Sequence, residues 1–326
     1  MNLNLYDEAG KRIAIIDNNF VSLLWNEGYN TVESFVLEVQ KTDEFKEKIK
    51  VNRFVGRTDR KSLMVIKTVE ITADTIRASG KQASRIFDDV AFIGTVYADA
   101  NIALAIADGY EGSSKYPNAI IDPSGLYEMA SFQMSNASIL EFCKQYGQDA
   151  DFGFRTVRNG TEYQLEFYKP NAETTPVFSE KYGNLTVSGI DMSEEAYKNY
   201  AIVLGEGTGE DRARVIVDNS NGGQRYEVVI DARDIQQEEG ETYSEYLERL
   251  RERGREKLQE CNKTWNCTFE PFEGEFGTKF DLGDMVTVLL PEYGLKIVAR
   301  ITKISQKAQN NQIKTTLTVG ELTIKR

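Results

Sequence analysis

Apolar residues return at every second position along both ends of this chain, and that rhythm limits the fold more than any other feature. Leu3 and Leu5, Ile13 and Ile15, and Phe35, Leu37 and Val39 alternate with polar neighbours. This is the period of strands with one face on a core and the other in water. Asp7-Glu8-Ala9-Gly10 and Asn26-Glu27-Gly28 read as turns between them. Leu63 to Ile71 and Thr75 to Ser79 predict a hairpin around Ala73-Asp74. About six short strands in this first stretch point to a small barrel or sandwich.

From Gly80 onward the periodicity becomes helical. Asp99 is expected to cap an alanine-rich helix that ends at Gly109. Ser138 and Glu141 stand at capping-box spacing, and Ile139, Phe142, Cys143 and Tyr146 form one apolar stripe behind them, which makes Cys143 a core residue. Tyr116-Pro117 to Gly125 reads as loop. Asn159-Gly160 supplies the positive φ of a tight turn between strands at Phe152–Val157 and Tyr163–Tyr168. After Pro176, strands are predicted near 185–188, 201–204, 214–217 and 226–230. A helix from Thr242 to about Cys261 follows, capped by Thr242 and Glu245, its outer face laced with opposite charges. Met285–Leu290, Leu295–Ile304 and Ile313–Ile324 close the chain as strands. The fold is thus expected to be α+β, mainly β.

Two hairpins echo one another. Val65-Ile66-Lys67-Thr68-Val69-Glu70-Ile71, returning to Gly80, has the rhythm of Val298-Ala299-Arg300-Ile301-Thr302-Lys303-Ile304, returning to Gly320. The echo predicts two related β-domains, with Lys67 and Arg300 at comparable strand positions.

Composition excludes several chemistries. With no histidine among 326 residues, histidine bases, Ser-His-Asp and Cys-His nucleophile systems and histidine-bound zinc are all impossible. Three cysteines cannot make an all-thiolate zinc site and suit a reducing compartment. The apolar runs, such as 102–107 and 285–290, fall short of the roughly 20 residues of a membrane helix, and Met1 to Asp7 lacks the pattern of a signal peptide. A net charge of −12 argues against stable nucleic-acid binding. The one basic run, Lys46, Lys48, Lys50 and Arg53, is a candidate partner-facing patch.

Gly205-Glu206-Gly207-Thr208-Gly209 lacks a P-loop lysine and carries carboxylates that repel phosphate, so it reads as a loop. Asp281 and Asp284, with Glu270, Glu273 and Glu275, are the one place for paired-carboxylate hydrolysis. Their setting in Asp-Leu-Gly-Asp before an apolar strand favours turn formation instead. No catalytic residue, metal or cofactor is expected.

The order of segments resembles the siphophage tail hub family, the structural N-terminal part of tail-associated lysins. The likeness is carried by Leu5-Tyr6-Asp7 with Ile13 to Asp17, Leu23-Leu24-Trp25, Gly56-Arg57-Thr58-Asp59-Arg60 before Met64-Val65-Ile66, and Ile76 to Lys81. It continues in Tyr197-Lys198-Asn199 leading to Val203–Gly207, Val229 to Asp234, and Asp281 to Val288 followed by Ala299-Arg300-Ile301. The resemblance implies two β-barrel-like tube domains with inserted helical and mixed α/β domains. On that basis residues 1–80 are the first tube domain, completed by strands in 150–190, with 81–150 a helical or mixed insertion. Residues 185–235 plus 265–326 are the second tube domain, and 236–264 a helical insertion. It further implies a homotrimeric baseplate hub at the virion tail tip, made in the bacterial cytoplasm, that adapts a sixfold tail tube to a threefold tip. The DNA channel would run through it between acidic walls. The partners implied are the distal tail or tail tube protein, the tape measure protein and a spike, fibre or lysin protein, the last carrying any lytic activity, since this sequence stops at Arg326. Two other functions stand beside it: a wall-degrading carboxylate glycosidase and a carbohydrate-binding adhesin.

Overall fold

Seven strands from the first part of the chain curl around one apolar core. They are β1 (Asn2–Tyr6), β2 (Arg12–Asp17), β3 (Phe20–Gly28), β4 (Ser34–Gln40), β5 (Phe54–Arg57), β6 (Leu63–Ile71) and β7 (Thr75–Gln82). This is seen in a computed structural model, which describes residues 2–17, 20–92, 95–134, 137–173, 176–238, 240–261, 264–271, 277, 279–310 and 312–325. The strands run in the order β3-β4-β7-β6-β5-β1-β2. Leu3, Leu5, Leu23, Trp25, Phe35, Leu37, Val39 and Ile76 fill the interior with 1% exposure or less. Burying each such side chain stabilises the fold by about 1.5–3 kcal/mol relative to leaving it in water.

Two expectations fail inside this lobe. In β2 the buried residues are Ala14 and Ile16, and Ile15 is 49% exposed. The alternation was read one residue out of phase, which turns every side chain to the other face. Asn26-Glu27-Gly28 is not a turn but the end of β3, where an ionic partner rather than water satisfies Glu27.

The same sheet continues through the far end of the sequence. Strand Leu295–Gln309 pairs antiparallel with β3, from Lys303 opposite Gly28 to Gln309 opposite Ser22. Its other neighbours are Gln312–Lys325 and Met285–Leu290. Thr264–Pro271 and Leu185–Ser193 extend the path, and Val177–Ser179 joins Met285–Leu290 in parallel. Among the described residues this gives one large curled sheet of 13 strands.

A mixed layer packs against Tyr6, Phe54, Leu63 and Val65 of that sheet. It holds α2 (Ile102–Asp108) and α3 (Ile139–Asp149), after the six-residue α1 (Asp43–Lys48) of the first lobe. Ser138 and Glu141 form the expected capping box, and Cys143 is fully buried in the core. Asp99 does not cap α2. The Asn101 side chain does, accepting from the Leu104 amide, while Asp99 sits two residues earlier in the strand Thr95–Asn101. The stretch read as loop holds a strand, Ala119–Asp122, that pairs in parallel with Glu162–Tyr168. Gly153–Asn159 and Glu162–Tyr168 form the hairpin predicted from Asn159-Gly160, with Gly160 at φ +59°. These strands make a separate three-stranded sheet, while Val177–Ser179 and Leu185–Ser193 from the same stretch belong to the large one.

Residues 190–266 form a second compact unit, distinct from 1–189 with 267–326. Strands Tyr200–Leu204, Arg214–Asp218 and Glu227–Asp231 make its own three-stranded sheet. Helix α4 (Tyr243–Glu260) covers one face of it. The strands Tyr200–Leu204, Arg214–Asp218 and Glu227–Asp231 and the helix Tyr243–Glu260 therefore pack as one unit. The physical reason is that Ala201, Val203 and Val215 bury their face under Tyr246 and Leu250 of α4. Packing of a helix on its apolar face is one of the ways in which a small sheet becomes stable by itself.

Candidate functional site

A buried polar cluster lies where the first lobe meets the closing strands. Loop 58–62 after β5 brings Arg60 over the end of β3, and the turn Asp281–Asp284 approaches from the other side. Arg60 Nε donates to Glu27 Oε1 at 2.8 Å, and Nη2 donates to Glu27 Oε2 at 3.1 Å and Asp281 Oδ1 at 3.0 Å. Trp25 Nε1 donates to the same Glu27 carboxylate at 3.0 Å. The side chains of Glu27 and Arg60 are 1% and 8% exposed. Burial alone raises the Glu27 carboxyl, but the Arg60 charge and the bonds from Arg60, Ser62 and Trp25 hold it below the usual carboxylate range. Burial likewise opposes the Arg60 charge, which Glu27 and Asp281 more than restore.

Around this pair the junction is stitched by further long-range contacts. Arg57 lies over the Trp25 ring, 5.4 Å from its centroid, and donates to Gln306 Oε1 at 2.6 Å. Ser305 Oγ donates to Asn26 Oδ1 at 2.6 Å. Arg155 donates to Glu166 at 2.6 Å and stacks on Tyr168, whose hydroxyl burial pushes above its ordinary value. Gly283 holds φ +88°, and a Cβ there would meet the Tyr29 ring at 2.5 Å, so only glycine fits.

The echoing hairpins share a glycine beside a register shift, but Lys67 and Arg300 do not hold equivalent positions: Lys67 is the unpaired residue between Ile66 and Thr68, whereas Arg300 is paired with Gly320. Gly80 stands opposite Ile66, next to a register shift at Ile66/Thr68, and Gly320 stands opposite Arg300, next to one at Val298/Arg300. Lys67 projects over Tyr116, 5.6 Å from the ring centroid, and donates to its hydroxyl at 3.1 Å. Arg300 projects over Tyr29 at 5.1 Å and pairs with Asp151 at 2.9 Å. Each hairpin sends a cation onto a tyrosine face, Lys67 from a bulged position and Arg300 from a paired one.

The other residues singled out in the sequence are placed as follows. Asp284 accepts from the Asp281 amide at 2.7 Å and the Asn171 amide at 2.7 Å, the local bonding of a turn former. Asp281 also accepts from the Leu282 amide, but its second role is the bond to Arg60, which no local pattern announces. Glu270 pairs with Lys314, while Glu273 and Glu275 lie outside the described residues. Lys46 pairs with Asp43 at 2.9 Å and Lys48 with Glu44 at 2.6 Å. Arg53 donates to the carbonyls of Glu47 and Lys48 at the end of α1, and Lys50 is exposed. Carboxylates on α1 itself therefore offset two of the four charges in the run. Gly207 and Gly209 have positive φ in the loop after Tyr200–Leu204, and Tyr246 Oη accepts from the Glu206 amide at 2.9 Å. Among the described residues no group of acidic or thiol side chains is placed to hold a metal, and no helix is long and apolar enough to cross a membrane.

In this arrangement ion pairs and aromatic contacts fasten distant segments to one another. The family described as Siphovirus ReqiPepy6 Gp37-like protein matches residues 114–321. A tail protein from Neisseria meningitidis MC58 is similar in structure, with TM-score 0.62 at 9% identity, over 98% of this chain and 96% of that one. The 43 kDa tail protein of prophage MuSo2 from Shewanella oneidensis matches with TM-score 0.62 at 12% identity, over 98% of both chains. Prophage tail protein gp18 from Listeria monocytogenes EGD-e matches with TM-score 0.55 at 15% identity, over 98% of this chain and 94% of that one. At these identities the likeness is one of fold. No curated protein matches the sequence.

Proposed function

We propose that the chain, since it belongs to the Siphovirus ReqiPepy6 Gp37-like family, is the structural hub of a phage or prophage-derived tail tip or baseplate. One observation carries the step from tail fold to hub. Two β-lobes from opposite ends of the sequence share a continuous sheet through β3 and Leu295–Gln309. Three copies of such a chain offer six β-lobes to a sixfold tube and keep threefold symmetry for a tip. The DNA conduit follows from that ring, and the net charge of −12 favours passage of DNA over retention. On this reading the neighbours are the distal tail or tail tube protein on one side and the tape measure protein and a spike, fibre or lysin on the other. Lys46, Lys48, Lys50 and Arg53 remain a candidate contact for an acidic neighbour, reduced in strength by Asp43 and Glu44.

Electron microscopy of the purified chain at high concentration tests the hub. Class averages with threefold rings about a channel are expected. Particles without rotational symmetry, from protein that releases reducing sugar from purified cell wall, would instead support the glycosidase.

A further inference from the structure

The first lobe is open along β2. Among the described strands β2 has a neighbour, β1, on one side only, so the backbone N–H and C=O groups of its other side face outward. Beside this edge lies a groove of about 870 Å³, bordered by the start of β3, by α1 and by the turn that joins the two closing strands. Its floor is apolar: Ile15, Phe20, Phe45 and Ile313 line it, with Ile15 49% and Ile313 40% exposed. Its rim carries four amide side chains, Gln40, Gln309, Asn310 and Gln312. Asp17 is the single charged residue among the described lining.

We infer that this groove binds an extended, uncharged segment of a partner polypeptide, apolar at alternate positions, as an added strand on β2. Each part of the site matches one part of that occupant. The open strand edge pairs with a peptide backbone, and the floor takes every second side chain. The amides offer both donors and acceptors to the backbone of the guest, and with one carboxylate in the lining there is nothing to hold a strongly charged segment. Ile15, exposed and turned away from the core, becomes the residue of β2 that meets the guest. The inference does not depend on the hub: the groove belongs to each single chain, whether or not three assemble.

The probe is a seven-residue peptide alternating Thr and Val, acetylated and amidated, with a control in which every Val is Ser. Hydrogen exchange on the full chain should show new protection at residues 12–17 with the first peptide and not with the second. Fluorescence anisotropy should show the Ile15→Lys variant binding at least tenfold more weakly. Ile71→Lys, which changes an exposed isoleucine elsewhere on the sheet, should bind as the unaltered chain does. Protection outside this edge, equal binding of the serine peptide, or full binding by Ile15→Lys would overturn the inference. So would displacement of the peptide by a chito-oligosaccharide, which would make the groove a sugar site.

Discussion

Arg60 and the arginines of α4 bond to the same kind of partner in opposite surroundings. At the junction Arg60 is almost dry and shared between Glu27 and Asp281. Along α4, Arg255 reaches Glu248 at 2.7 Å and Glu252 at 2.6 Å, with every one of these side chains 45% or more exposed. Distances alone would rank the α4 pairs as the stronger. Burial reverses the order, because water screens the helix pairs while the junction pair has no other solvent to turn to. The junction fastens segments more than two hundred residues apart, whereas the helix pairs fasten a helix to itself. The pairing of β3 with Leu295–Gln309 joins the two parts of the sheet, the dry Glu27–Arg60–Asp281 contacts add to that junction, and the exposed α4 pairs contribute little.

Removing one partner at the junction should break this contrast most sharply. Arg60→Met leaves the Glu27 carboxylate buried and unpaired, and a loss of about 3–5 kcal/mol is expected in urea unfolding. The double variant Arg60→Met with Glu27→Gln, which keeps an acceptor for Trp25, should recover most of it. A single variant as stable as the parent would mean that water reaches the pair. Acid sharpens the same point. The folded carboxyl of Glu27 lies below its unfolded value, so its stabilisation is complete above the ordinary carboxylate range and fades as pH falls through the lowered value. The stability gap between the parent and Glu27→Gln should shrink as pH falls below the ordinary carboxylate range, and a gap independent of pH would contradict the pairing.

A smaller effect is expected in the second unit. Thr242 accepts from the Glu245 amide, and Glu245 accepts from the Thr242 amide at 2.8 Å. Thr242→Ala should cost about 1 kcal/mol, seen as earlier loss of helical circular dichroism. Least of all, Glu248→Gln should move the melting midpoint by no more than about 1 °C, even at low salt. A larger shift would place α4 among the structural ion pairs and erase the comparison.

Local chemistry was legible in the sequence. Ser138 with Glu141, Thr242 with Glu245, and Asn159-Gly160 each marked an element, because the signal and the structure lie within a few residues. What was hidden is long-range. Nothing near Ser22 to Gly28 announces a neighbour at 303–309, and nothing near Tyr116 announces that Ala119–Asp122 pairs in parallel with residues beyond 162. The phase of β2 was misread because both of its faces carry isoleucine, so periodicity could not decide which side was buried. At the candidate site Asp284 behaves as its turn motif implied. The Glu27–Arg60–Asp281 cluster stayed invisible, since charged residues in a sequence read as solvated until the fold brings them together.

The most direct test of the hub is a density map of the assembled tail tip that contains this chain. Three copies are predicted in one ring, each contributing two β-lobes to the wall, one built on β1–β7 and one on the strands after Thr264. Six copies around the ring, or a wall built from the first lobe alone, would contradict the account.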